Sequence, residues 1–139
     1  MISLSLRIFH SLRSIPIWVL IWMFVFLIPA NLSGFLLLDT VSGRWIAALG
    51  GGALAVNTVI VLVQGGFSRL LAIPHLIFWA PLEIILITLY FMTEMTPMES
   101  TVVAGVVVIN GISLLFDAHD TLRWVRGERS VIGFESETA

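Results

Sequence analysis

Polar residues in this chain gather in short clusters, and the runs between them are long and apolar. A bilayer core of about 30 Å takes roughly 20 apolar residues per helix. Four runs reach that length: Ile15 to Leu38, Trp45 to Gln64, Ala72 to Met92 and Glu99 to Phe116. They predict four membrane spans joined by short connectors, with a polar tail over residues 117–139. The expected fold is all-α: a polytopic membrane protein forming a four-helix transmembrane bundle, one domain over residues 1–139.

The connectors carry recognisable punctuation. Asp39-Thr40-Val41-Ser42-Gly43 reads as a turn, with Ser42 placed to cap the second span. Gly65-Gly66 ends that span. Thr96-Pro97-Met98-Glu99 combines an N-cap threonine, a proline at the first helical position and a glutamate three after the cap, a capping box. Pro29 should kink the first span, with Asn31 and Ser33 satisfying freed backbone groups. The alternative for this span is a cleaved signal peptide behind Arg7 and Arg13, with Ala30 as the cleavage residue. The apolar run passing Pro29 without a good small-x-small site favours a retained helix. The segment Met1 to Ser14 reads either as an amphipathic helix on the membrane surface or as an extension of span one. Asp117 to Arg126 should continue span four as helix, with Asp120 and Arg123 as i,i+3 neighbours, Gly127 as its end and a frayed remainder.

Composition sharpens this picture. Of 139 residues 58% are hydrophobic and 12% charged, and mean hydropathy is +1.04. Such a chain has no room for a soluble catalytic domain. A net charge of −2 provides no basic field for nucleic acid. Cysteine is absent, which excludes disulfides and thiolate chemistry. Arg7, Arg13, Arg69, Arg123, Arg126 and Arg129 fall on one side of the four-span topology and only Arg44 on the other. The positive-inside rule therefore places both termini in the cytoplasm, in a plasma or inner membrane. Trp45 and Tyr90 suit the outer interface, Trp18 and Trp124 the inner one.

Span two is rich in small residues. Ala47, Gly51 and Ala55 form one small-xxx-small ridge, and Gly50, Ala53, Asn57 and Gln64 share a second face. This predicts a central helix with two packed neighbours, local unwinding near Gly51 being the alternative. Span three aligns Glu83, Tyr90 and Glu94. Span four aligns Glu99, Val103, Val106, Asn110, Ser113 and Asp117. These spines are expected to face the bundle interior.

Glu83 is the one acid deep within a span. Counted from the expected helix starts, Asn57 and Asn110 lie at similar depth, which predicts an ion or proton site of Glu83, Asn57 and Asn110. Tyr90, Ser113 and Gln64 form a secondary polar spine. No arginine lies within a span, so Glu83 must hold a proton, face water, or bind a cation or a partner's basic group. Pro81 adds a free carbonyl at Ile77. The competing structural role is a protonated glutamate gluing helices through the two asparagines. Arg123, Trp124 and Arg126 suit lipid headgroups at the interface.

His10, His75 and His119 lack metal-ligand spacing, and no two histidines share a depth that would suit haem. No metal or other cofactor is indicated. The stretch Asp117 to Arg129 has the density of a motif but no legible chemistry. Two function classes follow. One is a proton or cation transport or channel unit centred on Glu83, which with only four helices requires a homo-oligomer. The other is an accessory or assembly subunit of a larger membrane complex. An intramembrane enzyme is weakest, since no nucleophile-base pair is visible.

Overall fold

A computed structural model describes residues 3–137; Met1, Ile2, Thr138 and Ala139, which belong to the two terminal segments read above, lie outside the described residues. The fold is all-helical, with a short helix α1 (Leu4–Arg13) followed by four long ones: α2 (Ile17–Leu36), α3 (Val41–Gln64), α4 (Arg69–Met92) and α5 (Pro97–Val125). All four long helices are long and apolar enough to cross a membrane.

Helix α2 is continuous but irregular. Its turns widen to π-helical geometry over Trp22–Leu27, return to α over Ile28–Leu32 and tighten to 3₁₀ over Ser33–Leu36. Pro29 is the cause within this stretch, because it cannot donate to the turn before it. Asn31 Nδ2 donates to the Leu27 carbonyl (3.0 Å), and Ser33 Oγ donates to the Ala30 carbonyl (2.6 Å). Both side chains thus serve the backbone around the proline as their positions predict.

Helix α3 begins at Val41, four residues before the expected start at Trp45. Its cap is Thr40, which accepts from the Gly43 N–H (3.0 Å), and not Ser42. Ser42 lies inside the first turn, buried, and donates to Glu99 Oε1 on α5. Close approach explains the small residues of α3. A Cβ on Gly50 would lie 2.7 Å from Asn31 Oδ1 on α2, and one on Gly52 would lie 3.3 Å from the Phe78 ring on α4. The helix therefore has neighbours on two sides. Ala55 is exposed, so the Ala47–Gly51–Ala55 ridge runs out before its end. The glycine run is not unwound; one π-helical turn over Ile46–Gly50 takes in its first residue, and Gly51 and Gly52 are α-helical. Gly65 ends α3 in the left-handed region (φ +69°), where an L side chain is strained.

Thr96 caps α5, accepting from the Glu99 N–H (3.2 Å) with Pro97 in the first turn. At about 1.5 Å per residue, this 29-residue helix outruns a bilayer core. It packs against α4 as the most extensive helix pair. Leu27, Ile46, Ala53, Trp79, Leu82, Leu86, Val103 and Val106 form the core where the four helices meet.

Helix α1 and the described residues after α5 lie at one end of the bundle, hereafter the terminal end. Helix α1 is no extension of α2, because Pro16 separates them. It docks on the α3–α4 turn, where buried Ser11 Oγ accepts from the Phe67 N–H (2.9 Å). The described residues after Gly127 are not frayed. Ile132 N–H bonds the Phe67 carbonyl (2.8 Å), Val131 bridges Ser68, and Arg7 lies over the Phe134 ring (4.4 Å) and pairs with Glu137 (3.1 Å). Periodicity misses this docking because it uses isolated backbone bonds and one aromatic ring.

Candidate functional site

The polar spine of α5 faces inward along its length. Val103, Val106, Asn110 and Ser113 are buried, Glu99 meets Ser42 at one end, and Asp117 meets His75 at the other. Each polar member takes its partner from a different helix.

Asn110 pairs with Asn31 of α2. Asn31 Nδ2 donates to Asn110 Oδ1 (2.7 Å) and Asn110 Nδ2 donates to Asn31 Oδ1 (2.9 Å), with both residues fully buried. The third amide hydrogen bond goes to Leu27, so this centre is closed on itself. Ser113 Oγ, nearby on the same face, accepts from Trp22 Nε1 (3.0 Å).

Asn57 is in another network. Because α3 starts at Val41, Asn57 sits nearer the terminal end than a start at Trp45 implies. It is seven residues from Gln64, whereas Glu83 is fourteen from Arg69. Its amide donates to His75 Nε2 (2.7 Å) and to the Leu71 carbonyl (3.1 Å). With Nε2 accepting, His75 carries its hydrogen on Nδ1 and donates it to Asp117 Oδ2 (3.0 Å). The imidazole also stacks on Trp79 at 3.8 Å and 7°. Asn57, His75 and Asp117 thus form a chain across three helices. The signal for it was present: residues 57 and 75 lie equally far from Gly66, at the α3–α4 turn.

Glu83 joins neither network. Neither Asn57 nor Asn110 bonds to it. Its Oε2 lies 3.8 Å from where a Gly111 Cβ would sit, and its Oε1 is buried without a hydrogen-bond partner. The side chain as a whole is half-buried at the α4–α5 seam. Adjacent residues of α5 therefore face two polar centres: Asn110 turns to the asparagine pair, and Gly111 lies against Glu83. The inward stripe of α4 is His75, Trp79, Leu82 and Leu86, not Glu83, Tyr90 and Glu94. Tyr90 and Glu94 are exposed, and Tyr90 meets Phe91 edge-on at 5.4 Å. Gln64 accepts from Ser68 Oγ (2.6 Å) within the α3–α4 turn.

At the terminal end the charges pair among themselves. Arg69 holds Asp120 (2.6 Å) and Glu128 (3.4 Å), and Arg123 also pairs with Glu128. Asp120 therefore serves Arg69 and not its helical neighbour Arg123. Arg129 lies over the Trp124 ring at 4.5 Å, and Arg126 caps the exposed end of α5. The hydrogen bond from Arg123 holds Glu128 below the ordinary glutamate range, helped by the charges of Arg123 and Arg69. The dense stretch from Asp117 to Arg129 is thus a set of ties from α5 to α4 and to the tail. Among the described residues, no group of three or more His, Asp and Glu could hold a metal ion.

No protein-family model matches the chain, and no curated protein or solved structure matches it either.

Proposed function

We propose that this is a multi-pass membrane protein that handles protons within the bilayer, working as an oligomeric transport unit with Glu83 as the carrier. The observation that carries the reading is the state of its carboxyl group: mid-helix, one oxygen buried, no hydrogen-bond partner. Intramembrane acids without structural partners mark ion or proton pathways. Asn31 and Asn110 supply interhelical glue at the same level of α5, so Glu83 is not needed for it. A proton suits the site better than a metal cation, because Asn57 and Asn110 bond elsewhere and leave no ring of oxygen ligands. The arginine distribution supports cytoplasmic termini in a plasma or inner membrane.

The test is proton flux into liposomes carrying the purified protein, under an imposed potential. Wild type acidifies or alkalinises the lumen. Glu83→Gln, which keeps hydrogen bonding but cannot titrate, does not. Equal flux in the two proteins overturns the reading.

Half-exposure of Glu83 at the α4–α5 seam favours a second reading, in which a basic group of another subunit pairs with it and the protein is an accessory subunit of a larger membrane complex. In that case wild-type liposomes stay inert, and Glu83→Gln weakens co-purification with that subunit.

A further inference from the structure

His75, Trp79 and Glu83 are spaced four residues apart on α4, so they lie on one side of the helix about a turn from each other. Three of the buried side-chain atoms without a hydrogen-bond partner belong to this neighbourhood: Glu83 Oε1, Trp79 Nε1 and Asn57 Oδ1. Buried polar atoms are nearly always satisfied, by protein or by ordered water. Their concentration along one stripe, ending in a histidine–aspartate pair, needs an explanation. The fourth such atom among the described residues, Thr121 Oγ1, lies near the terminal end of α5, whereas Asn31 with Asn110, Ser42 with Glu99 and Trp22 with Ser113 pair directly.

We propose that Asp117 and His75 form the proton route between Glu83 and the terminal end of the bundle, with water joining His75 to Glu83 past Trp79. This rests on the reading of Glu83 as a proton carrier. His75 as it stands donates from Nδ1 to Asp117 and has Nε2 free to bind a proton once Asn57 lets go. A proton released by the Glu83 carboxyl and passed along water adds to Nε2. The Nδ1–H bond then breaks, and its proton goes to the Asp117 carboxylate. The imidazole is neutral before and after, but ends in its other tautomer. Asp117 next gives its proton to water at the terminal end, beside the Arg69–Asp120 pair.

The ending tautomer has a hydrogen on Nε2 and needs an acceptor there. Asn57 Oδ1 is that acceptor: it is buried, unpartnered and on the same amide that now donates. Turning the amide over exchanges donor for acceptor, so Asn57 holds the ending tautomer, and a turn of the imidazole ring that exchanges its two nitrogens restores the starting one. The steps reversed carry a proton inward. The axial gap from His75 to Glu83 is eight residues, about 12 Å, beyond direct transfer and within reach of a short water file. Trp79 Nε1 is the donor that orders it. The titratable groups facing His75 are Asp117 on α5 and, beyond it, Asp120 with Arg69.

The experiment follows hydrogen–deuterium exchange of the Glu83 carboxyl by infrared spectroscopy on the full chain in liposomes, its band identified by its loss in Glu83→Gln. Asp117→Asn is isosteric, and His75→Gln keeps a polar group facing Asn57. Both are expected to slow exchange at Glu83 by at least about tenfold, the low side of what a proton-transfer group contributes. They should slow flux in parallel, with thermal midpoints near wild type, and Asp117→Glu should restore both rates. Trp22→Phe removes the bond to Ser113, away from the route, and should leave exchange unchanged. If His75→Gln does not fold, Asp117→Asn decides alone. Exchange and flux at wild-type rates in Asp117→Asn overturn the route, and leave the Glu83 reading standing so long as Glu83→Gln abolishes flux. Wild-type flux in Glu83→Gln defeats the reading itself.

Discussion

Asn110 and Gly111 are neighbours on α5, yet the polar centres they face differ in kind. The asparagine pair uses both amides reciprocally, is fully buried and places a further donor, from Asn31, on the Leu27 carbonyl. Glu83, opposite Gly111, is half-buried and leaves an oxygen unsatisfied. Both centres bring polar groups into an apolar bundle, but only the first satisfies both of its side-chain oxygens. A closed pair behaves as structure. An open acid carries a standing cost, which selection for stability alone would remove by replacing it. The contrast is what supports reading the asparagine pair as glue and Glu83 as the site of the function we propose.

Glycine substitutions break this comparison most sharply. Gly50→Ala puts a Cβ at 2.7 Å from Asn31 Oδ1 and 3.1 Å from the Asn31 carbonyl oxygen, so the asparagine pair must move. Overpacking together with a disturbed buried amide should destabilise by about 3 kcal/mol, read from thermal unfolding in detergent. Gly111→Ala places its Cβ 3.8 Å from Glu83 Oε2, an ordinary contact, and should stay within about 0.5 kcal/mol of wild type.

Replacing the polar groups themselves comes next. Asn110→Leu strands the Asn31 amide and should cost about 2 kcal/mol, with the double variant Asn31→Leu/Asn110→Leu recovering part of it. Glu83→Leu should instead raise the unfolding midpoint, because it removes an unsatisfied acid from the span. A loss comparable to that of Asn110→Leu would mean that Glu83 is structural after all.

Acid provides the mildest probe, and its effect on the tail is read away from the asparagine pair. Glu128 is held below its ordinary range by Arg123, and Glu135 by the backbone N–H groups of Glu135 and Gly133. A lowered folded-state value contributes stability above the unfolded value, and that stability is lost as pH falls through the folded one. The tail should therefore loosen from the α3–α4 turn below about pH 4, seen as faster amide exchange at Ile132. The asparagine pair has no titratable group and should keep its protection.

The spans were legible because bilayer thickness sets their length, and the α5 cap because Thr96 and Pro97 act locally; the Glu99 carboxylate, expected to close the capping box, accepts from Ser42 of α3 instead. The inward spine of α5 was legible from helical periodicity alone. Partner choice was not. The four-residue shift in the start of α3 moved Asn57 about 6 Å along the axis, away from Glu83 and to His75. Asn31, assigned to the backbone around Pro29, serves that role and pairs with Asn110 as well. Single-helix patterns report faces, whereas depth matching between helices depends on where each one starts. The terminal-end docking of α1 and the tail has no periodic signal at all.

The most direct measurement is proton flux in liposomes, run side by side for Glu83→Gln and for Asn110→Ser and normalised to folded protein. The account predicts that the glutamine variant loses flux, while the serine variant, altered at the closed centre, retains it. Flux surviving in Glu83→Gln would contradict the account, leaving Glu83 without the role that its open site supports.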